Sequence, residues 1–370
     1  MKVGIFTFPN SVSYGATLQM YALCRAVEQL GYDVEAINYY SSYMRAEMYG
    51  NPQSTSVLTH ALKRSMKRAL HSRLYTHVAS FEKKNVPLYP QKSFSDKSLL
   101  PSVGERYDAV ICGSDQVWNP TITNEDMSYF LDFCAETTRR ISYAPSFGVE
   151  GLSADFSEAV RKELNQFYAL SVREIQGQKM IAEIIGKHVP VVVDPTMLLN
   201  REDWRRLEAP YKKIKGEYLL YYTIKNSSVL FKKSRDFAQK HGLTMLVVGG
   251  NFFKNILDRD PVVQYAADIS PEEWLWLMDH ARYVSTNSFH GTAFSIIFEK
   301  DFHLELSSAT NSRLSNIVNT FGLQHRVISL EKEMDSSRTD YTAANASLQN
   351  LREESLQYLK NALYEENEHG

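Results

Sequence analysis

The sequence predicts an α/β protein with parallel sheets flanked by helices, arranged in two domains. Short apolar segments alternate with helical patterns along most of the 370 residues, which is typical of parallel sheets with helices on both faces. The alternation starts again near Tyr168, and a chain of this length exceeds the range in which one core usually keeps growing. We therefore predict domains over residues 1–165 and 166–340 with a cleft between them, followed by a closing helix over residues 341–370.

The first domain begins with a strand–helix–strand unit. Lys2–Phe8 is an apolar segment that predicts a buried strand, Ala16–Leu30 has the spacing of an amphipathic helix, and Val34–Tyr39 predicts the next strand. Further strands are predicted at Ala109–Cys112 and Arg140–Tyr143. The loops after these strands matter most, because doubly wound sheets bind their ligands beyond the carboxyl ends of the strands.

The second domain repeats the alternation, and an amphipathic segment closes the chain. Strands are predicted near Tyr168 and at Val189–Val193, Tyr218–Thr223, Thr244–Val248, Val262–Tyr265, Tyr283–Thr286 and Phe302–Leu306. The leucines between Leu348 and Leu363 recur at near-helical spacing, which predicts a helix that packs on one of the domains.

One segment departs from this scheme, because residues 57–84 carry seven lysines and arginines and a single acid, Glu82. Its apolar side chains from Leu58 to Phe81 form one stripe, which predicts a surface helix packed on the core. The alternative is a helix that contacts an anionic membrane leaflet or a lipid diphosphate.

Charge and cysteine content exclude several classes of protein. The formal net charge is -2, so we expect no nucleic-acid partner. Cys24, Cys112 and Cys134 are widely spaced, which indicates reduced core thiols rather than a disulfide framework. The sequence lacks a signal-peptide pattern and an apolar run of transmembrane length. We therefore expect a cytoplasmic protein that at most touches the inner membrane face.

Two loops of the first domain carry candidate ligand-contacting residues. Tyr14 and Gly15 follow the first strand, although a glycine there often only makes a turn. A polar cluster, Ser114, Asp115 and Gln116, follows the strand at residues 109–112, and Asp115 could equally cap the next helix. In the same loop, Trp118 could stack on a sugar ring.

Two residues of the second domain are candidates for anion binding and proton transfer. Arg173 could hold a carboxylate or phosphate with its planar fork, but the residues alone favour an ion pair with Glu174 or another surface acid. His290 follows a strand end at the start of a predicted helix, where imidazole suits proton transfer and the helix terminus suits an anion. The alternative for His290 is a packing or capping role.

Metal and nucleotide motifs are missing from the sequence. There is no G-x-x-x-x-G-K-[ST], no G-x-G-x-x-G after a strand and no H-E-x-x-H. Asp258 and Asp260 have metal-chelating spacing but directly precede Pro261 and a strand, which favours a solvated loop. We predict no obligatory metal and no cofactor.

Six short segments form an ordered set across roughly residues 3–330. They are Ser13–Gln19, Gly113–Asn119, Ser142–Gly148, Ser171–Glu174, Asp194–Leu199 and Ser288–Gly291. Together they resemble the polysaccharide pyruvyltransferase family. This resemblance implies two Rossmann-like domains that face one cleft, similar to the GT-B glycosyltransferase architecture.

The resemblance also implies an activity. Such an enzyme transfers the enolpyruvyl group of phosphoenolpyruvate to two hydroxyls of a sugar as a cyclic ketal and releases phosphate, in capsule or exopolysaccharide biosynthesis. The acceptor sugar would be carried on a nucleotide or a polyprenyl diphosphate. The loops at Tyr14–Gly15 and Ser114–Trp118 would then contact the acceptor.

Residues of the phosphoenolpyruvate site follow from the same resemblance. An arginine matching Arg173 and a histidine matching His290 line that site in related enzymes, and Asn287, Ser288 and Gly291 lie beside the histidine in this sequence. Some relatives have an arginine where this chain has Ser288, so another group must supply that anion contact. The candidates are Lys300 and Lys225.

Two other functions fit the same fold, because a fold does not determine chemistry. One is a glycosyltransferase that uses a nucleotide sugar. The other is a catalytically silent scaffold of polysaccharide assembly, which the serine at position 288 would explain.

Overall fold

The chain forms two units, each built on its own sheet. The computed structural model describes residues 1–49, 73–249, 260–266, 268–306, 311–329, 331 and 333–364. Unit 1 comprises Met1–Leu198 and Leu351–Gly370, and unit 2 comprises Leu199–Asn350.

The sheet of unit 1 has five parallel strands. They are β1 (Lys2–Phe6), β2 (Asp33–Tyr39), β3 (Leu88–Phe94), β4 (Ala109–Cys112) and β5 (Arg139–Ser142), in the spatial order β3-β2-β1-β4-β5. The chain therefore builds the sheet outwards from β1 in one direction and from β4 in the other. The point at which this direction reverses lies between β1 and β4, and ligands of doubly wound sheets bind outside the carboxyl ends of such a strand pair.

Helices connect these strands. They span Tyr14–Gln29, Ser42–Tyr49, residues 73–85, Leu100–Gly104, Pro120–Thr123, Ala154–Leu164 and Ile175–Ile185, with short 3-10 helices at Lys97–Leu99, Met127–Phe130 and Pro195–Met197. Ser13 begins the first helix because its hydroxyl accepts a hydrogen bond from Ala16 N, which satisfies one of the free N–H groups at a helix start.

Unit 2 repeats the architecture with a second sheet of five parallel strands. They are β6 (Tyr218–Thr223), β7 (Thr244–Gly249), β8 (Val263–Ala266), β9 (Tyr283–Thr286) and β10 (Asp301–Leu304), in the order β10-β9-β6-β7-β8. Here the direction of building reverses between β6 and β9. Fully buried strands such as β6 read as continuous apolar runs, as expected for parallel strands covered on both faces.

The helices of unit 2 are Arg201–Arg205, Ser228–Lys240, Pro271–His280, Phe289–Ile297 and Asn311–Thr320, with a 3-10 helix at Gln324–Arg326. Ser270 and Glu273 form a capping box at the start of Pro271–His280, which satisfies two backbone donors reciprocally. The last helix, Thr342–Leu363, starts in unit 2, and its residues from Leu351 onwards belong to unit 1.

Two sequence predictions differ from the structure around residue 166. The units divide after Leu198, not after residue 165, because the segment between these positions continues the first sheet through isolated bridges. Ala169 bridges Ile141 of β5, and Val191 bridges Val172. The apolar segments near Tyr168 and at Val189–Val193 thus contribute single bridges to unit 1 instead of strands to unit 2.

The strand β3 was not predicted from the sequence. This strand contains Pro90 and Lys92 and is only partly buried, so it lacks the apolar run that marks the other strands. Its place at the edge of the sheet explains the proline, since an edge strand needs hydrogen-bond donors on one side only.

Other expectations concern cysteines, the basic segment and membrane spans. Cys24, Cys112 and Cys134 are buried free thiols, as predicted. Residues 57–72 of the basic segment lie outside the described residues, whereas residues 73–85 are helical and bury Val78 and Phe81. In the parts of the chain that the structure describes, no helix is both long and apolar enough to cross a membrane.

Trp118 anchors the core of unit 1. Its side chain is fully buried and stacks on Phe130 with ring centroids 5.1 Å apart, and Phe147 and Phe167 pack around it. The indole N–H donates to the carbonyl of Tyr129 at 2.9 Å. Trp118 therefore has no free face to offer a sugar ring, in contrast to the stacking role considered from the sequence.

We predict that Trp118→Ala lowers the free energy of unfolding by about 3–5 kcal/mol, the usual cost of truncating a large buried aromatic side chain. Chemical denaturation followed by circular dichroism measures this loss. Trp276→Ala is the control, because Trp276 is only partly buried and its removal leaves a smaller cavity. A loss below 1 kcal/mol for Trp118→Ala would contradict its place in the core.

Candidate functional site

The loops after β6 and β9 meet at the point where unit 2 reverses its building direction. Asn287 joins them, because its side-chain oxygen accepts from Ile224 N at 3.0 Å and its amide nitrogen donates to the carbonyl of Lys225 at 2.8 Å. Asn287 is buried, whereas Ile224 and Lys225 are exposed. One amide side chain thus fixes the loop that presents Lys225 beside the loop that carries His290.

The turn from β9 into the helix Phe289–Ile297 positions His290. Ser288 caps the helix by accepting from Gly291 N at 3.3 Å, and its own N–H donates to the Thr286 hydroxyl at 3.0 Å. His290 lies in the first turn of this helix and is buried, with its ring edge-on to Phe289. The helix start provides partial positive charge at this place.

Position 291 requires glycine because Thr286 and Tyr222 lie too close to leave room for a side chain. A Cβ atom at this position would lie 2.3 Å from the Thr286 hydroxyl oxygen and 3.1 Å from the Tyr222 ring. Any side chain larger than hydrogen must therefore displace the turn that carries His290.

The structure brings Asn287, Ser288, His290, Gly291 and Lys225 to one edge of the second sheet but places Lys300 at the other. Lys300 directly precedes β10, whose first residue Asp301 pairs with Tyr283, the first residue of β9. It therefore lies at the amino ends of the strands, where its Nζ is 3.7 Å from Asp279 Oδ1. Burial and the charges of Arg201 and Arg205 lower the pKa of Lys300, although Asp279 opposes them. Lys300 cannot supply an anion contact beside His290.

The corresponding place in unit 1 lies between the loops after β1 and β4. The Thr7 hydroxyl donates to the carbonyl of Ser114 at 3.1 Å and so joins these loops. Asn10 and Asp115 both adopt left-handed backbone conformations, with φ of 58° and 73°, which non-glycine residues rarely do outside turns and functional sites. Both loops are thus held in specific conformations at the edge where ligands of this fold bind.

The predicted acceptor residues of these loops differ in accessibility. The side chain of Asp115 is partly exposed, and Gln116 is partly buried. Tyr14 and Gly15 are buried in the first turn of the helix Tyr14–Gln29, and Ser114 is fully buried and donates to Asp194 at 3.0 Å. Of this group, Asp115 and Gln116 are the side chains that can reach a ligand.

Arg173 belongs to unit 1 and is neutralised by acids of its own unit. Its side chain is 2% exposed, and its guanidinium lies 2.9 Å from Asp194, 3.6 Å from Glu174 and 3.7 Å from Asp115. Burial disfavours the charged form, but the neighbouring carboxylates hold the pKa of Arg173 above its ordinary value. These surroundings form a buried ion-pair network that fixes the Asp115 turn, which is the alternative considered from the sequence. A contact of Arg173 with a substrate anion stays a prediction.

Glu82, the one acid of the basic segment at residues 57–84, also contacts the loop after β1. It is fully buried, and both its carboxylate oxygens accept from Asn10 N, at 3.1 and 3.0 Å. A glutamate on the apolar stripe of an otherwise basic helix was the sequence signal for it, because a buried acid needs specific partners.

One cluster among the described residues has the composition of a metal site. Ligand atoms of Glu208, Asp279 and His280 lie within 4.8 Å of one another. However, Asp279 already pairs with Arg205 at 2.8 Å and lies near Lys300, so cations from the protein occupy its surroundings. Asp260, the described member of the predicted aspartate pair, caps Val262 N and pairs with Arg235; Asp258 lies outside the described residues.

These two sheets define the class of protein: two Rossmann-like domains of the type found in GT-B enzymes. Among solved structures, a putative UDP-N-acetylglucosamine 2-epimerase from Listeria monocytogenes is similar at 11% identity with a TM-score of 0.51, over 98% of this chain and 88% of that one. The Neisseria meningitidis UDP-GlcNAc 2-epimerase (12%, TM-score 0.47, 99% and 95%) and the E. coli heptosyltransferase WaaC (10%, TM-score 0.40, 96% and 100%) are also similar.

The sequence profile described as "Polysaccharide pyruvyl transferase" matches residues 14–304. The chain therefore belongs to the polysaccharide pyruvyl transferase family, as its ordered segments predicted, and this family membership makes it a transferase that acts on polysaccharide. No curated protein matches its sequence.

We predict that Gly291→Ala disturbs the His290 turn, because the added methyl group would overlap the Thr286 hydroxyl. The expected loss of stability is about 1–3 kcal/mol, as for other overpacked sites, measured by thermal unfolding. Gly151→Ala is the matched control, since nothing lies within 4 Å of the Cβ it would add. Equal effects of the two substitutions would contradict the close packing at Gly291.

We predict that Arg173→Met destabilises the fold by about 3–5 kcal/mol, because removing one member of a buried ion-pair network leaves uncompensated charge. Adding Asp194→Asn should recover part of this loss. Arg161→Met is the control, since Arg161 and Glu158 are an exposed pair, worth under about 1 kcal/mol. If Arg173→Met unfolds at the same denaturant concentration as the parent, the network does not stabilise unit 1.

Proposed function

We propose that this protein transfers the pyruvyl group of phosphoenolpyruvate to two hydroxyls of a sugar in a polysaccharide precursor, forming a cyclic ketal and releasing phosphate. The observation that carries the proposal is the β6/β9 edge of unit 2. There, the loop that carries an exposed lysine lies beside the loop that carries a histidine and a capped helix start, where this fold binds ligands. Family membership supports the same reaction class.

The reaction sets the chemical requirements of that edge. Protonation of the enol methylene leaves an oxocarbenium-like carbon, which the first sugar hydroxyl attacks. Phosphate then leaves, and the second hydroxyl attacks the same carbon to close the ketal. Each hydroxyl gives up one proton; one replaces the proton added to the methylene, and the other leaves with phosphate. The site must therefore move protons and stabilise a trianionic donor.

His290 is proposed as the group that moves a proton or binds phosphate. Histidine is the side chain that most readily exchanges a proton near neutral pH. The helix start beside it offers backbone N–H groups, and Ser288 adds a hydroxyl, which together favour a phosphate or carboxylate. The backbone N–H groups and the Ser288 hydroxyl can bind the anion without the arginine that some relatives have at position 288.

Lys225 is proposed to replace that arginine. Its side chain is exposed, and Asn287 fixes its backbone beside the His290 loop. A lysine supplies a point charge rather than a fork, so it can neutralise the phosphate but cannot bind a carboxylate in the bidentate way. Arg173 is not proposed as a donor contact; its buried network instead positions Asp115.

The acceptor is proposed to lie against the β1/β4 loops of unit 1, where Asp115 and Gln116 are accessible and can bind sugar hydroxyls. Its carrier would be a nucleotide or a polyprenyl diphosphate. A cytoplasmic location and contact of residues 57–84 with the inner membrane face rest on sequence alone. Sedimentation with anionic vesicles tests that contact.

We predict that phosphoenolpyruvate at millimolar concentration raises the thermal midpoint of the protein, because a ligand that binds only the folded state stabilises it. Lys225→Ala should weaken this binding about tenfold, the equivalent of one lost charge-assisted contact. Lys215→Ala is the control, since Lys215 is exposed and precedes β6 at the opposite edge of the sheet.

His290→Gln should keep the thermal protection by phosphoenolpyruvate while lowering turnover at least 100-fold, if the imidazole transfers a proton.

Other outcomes identify other functions. Protection by UDP-GlcNAc with none from phosphoenolpyruvate would favour a glycosyltransferase. Protection by neither ligand, together with a copurifying partner, would favour a scaffold. Retained turnover in His290→Gln would restrict that residue to phosphate binding.

A further inference from the structure

Glu82 is a buried acid without a cationic partner among the residues that the structure describes. Its carboxylate accepts from Asn10 N and from the Thr17 hydroxyl at 3.3 Å. Burial raises the pKa of Glu82 to about 8, and the hydrogen bonds from Asn10 and Thr17 only partly offset this effect. Burial therefore favours the protonated form of this carboxyl group.

The two partners of Glu82 lie on either side of one loop. Asn10 is the left-handed residue just after β1, and Thr17 lies in the first turn of the helix Tyr14–Gln29. Between them, Ser11–Ser13 are the partly exposed residues of the loop. The Glu82 carboxyl group thus binds both ends of residues 10–17, which lie at the carboxyl ends of β1 and β4.

A second layer of contacts extends from Asn10. Its amide nitrogen donates to Asn38 at 2.8 Å, and the Tyr75 hydroxyl donates to its side-chain oxygen at 3.4 Å. Asn38 in turn donates to the carbonyl of Pro90 in β3. The conformation of Asn10 is therefore coupled to the adjacent strands as well as to Glu82.

Among the described residues, the groups that form hydrogen bonds with Glu82 or with its partner Asn10 are polar and uncharged. The loop after β1 contributes Asn10, the helix Tyr14–Gln29 contributes Thr17, and Tyr75 of its own helix approaches through Asn10. Lys83 and Lys84, the neighbours of Glu82 in sequence, are exposed. No charged side chain of the described residues compensates an ionised Glu82.

We propose that Glu82 is a positioning residue for the acceptor loop, residues 10–17, and that its hydrogen bonds with Asn10 and Thr17 hold this loop in the conformation just described, which we call the closed conformation. The assignment of this loop to the acceptor rests on the function proposed above. The contacts of Glu82 with Asn10 and Thr17, which we call the Glu82 clamp, lie within unit 1 and do not depend on that assignment.

The sign of the pH dependence follows from linkage. A carboxyl group whose pKa is about 8 in the closed loop, against an ordinary 4.5, retains its proton in the closed state and loses it when the loop opens to water. The closed state is therefore favoured fully below pH 4.5. The equilibrium constant for closing the loop falls by up to about tenfold per pH unit as the pH rises from 4.5 towards 8, and it then levels off.

Hydrogen exchange measures this opening in the full-length protein without any substrate. After correction for intrinsic exchange rates, opening of the peptide covering residues 7–17 should rise at least tenfold between pH 5.5 and 7.5. In Glu82→Gln it should stay constant, because the amide keeps hydrogen bonds to Asn10 and Thr17 but does not titrate. Glu105→Gln changes an exposed carboxyl group of the same unit and should behave like the parent. A rise of less than twofold in the parent, or an equal rise in Glu82→Gln, would overturn the clamp.

Enzyme kinetics separates positioning from a general effect on stability. With phosphoenolpyruvate and p-nitrophenyl glycosides as probe acceptors, Glu82→Ala should raise the KM for the glycoside at least fivefold and change the KM for phosphoenolpyruvate less than twofold. Glu82→Gln should restore the KM for the glycoside. Equal increases in both KM values would overturn the assignment to the acceptor loop. If hydrogen exchange shows the clamp but phosphoenolpyruvate neither binds nor reacts, the clamp stands and the proposed function fails.

Discussion

Parallel pairing of strands is the constraint on which both units depend. Parallel strands need crossover connections, so every carboxyl end lies at one edge and every connecting helix returns the chain to the other edge. In each unit, the sheet is built outwards from two central strands, β1 with β4 and β6 with β9. The loops after these strands diverge to opposite faces, which leaves a crevice between them. The loops that carry Lys225 and His290, which are far apart in sequence, lie beside each other for this reason.

Buried polar groups then fix the loops at each crevice in different ways. Unit 2 uses a neutral amide, Asn287, and unit 1 uses the charged network around Arg173 together with the carboxyl group of Glu82. Burying such groups is costly unless their hydrogen bonds are made. Their contacts therefore specify a conformation more than they add stability. The accessible side chains, Asp115 and Lys225, lie directly beside these buried groups.

Much of the fold was predictable because parallel strands are apolar and regular. The strands Ala109–Cys112 and Tyr283–Thr286 appear in the structure within a residue of their predicted bounds. The edge strand β3 and the division at Leu198 were not predictable, because a half-exposed strand lacks an apolar run and single bridges leave no periodic signal. Tertiary pairing, rather than local pattern, decides both features.

The candidate site shows the same division. The position of His290 after a strand end followed from the pattern, since carboxyl ends of strands share an edge. Whether an arginine, a lysine or a tryptophan is free to meet a ligand did not follow, because burial depends on residues distant in sequence. Arg173 has partners at positions 115 and 194, and Trp118 is covered by Phe167. The pairing of β10 with β9 decides at which edge of the sheet Lys300 lies, and this pairing could not be predicted from local sequence.

The double hydrogen bond of Asn287 has a consequence for variation among related sequences. Because its amide spans the backbone of two successive residues, Ile224 and Lys225, the loop after β6 can vary freely in composition but hardly in length before that point. Insertions would be tolerated only beyond Lys225, towards the helix Ser228–Lys240. Substrate preference would then change through substitution of side chains on a loop backbone of constant length. A transfer of this loop between homologues would have to include the asparagine that binds it.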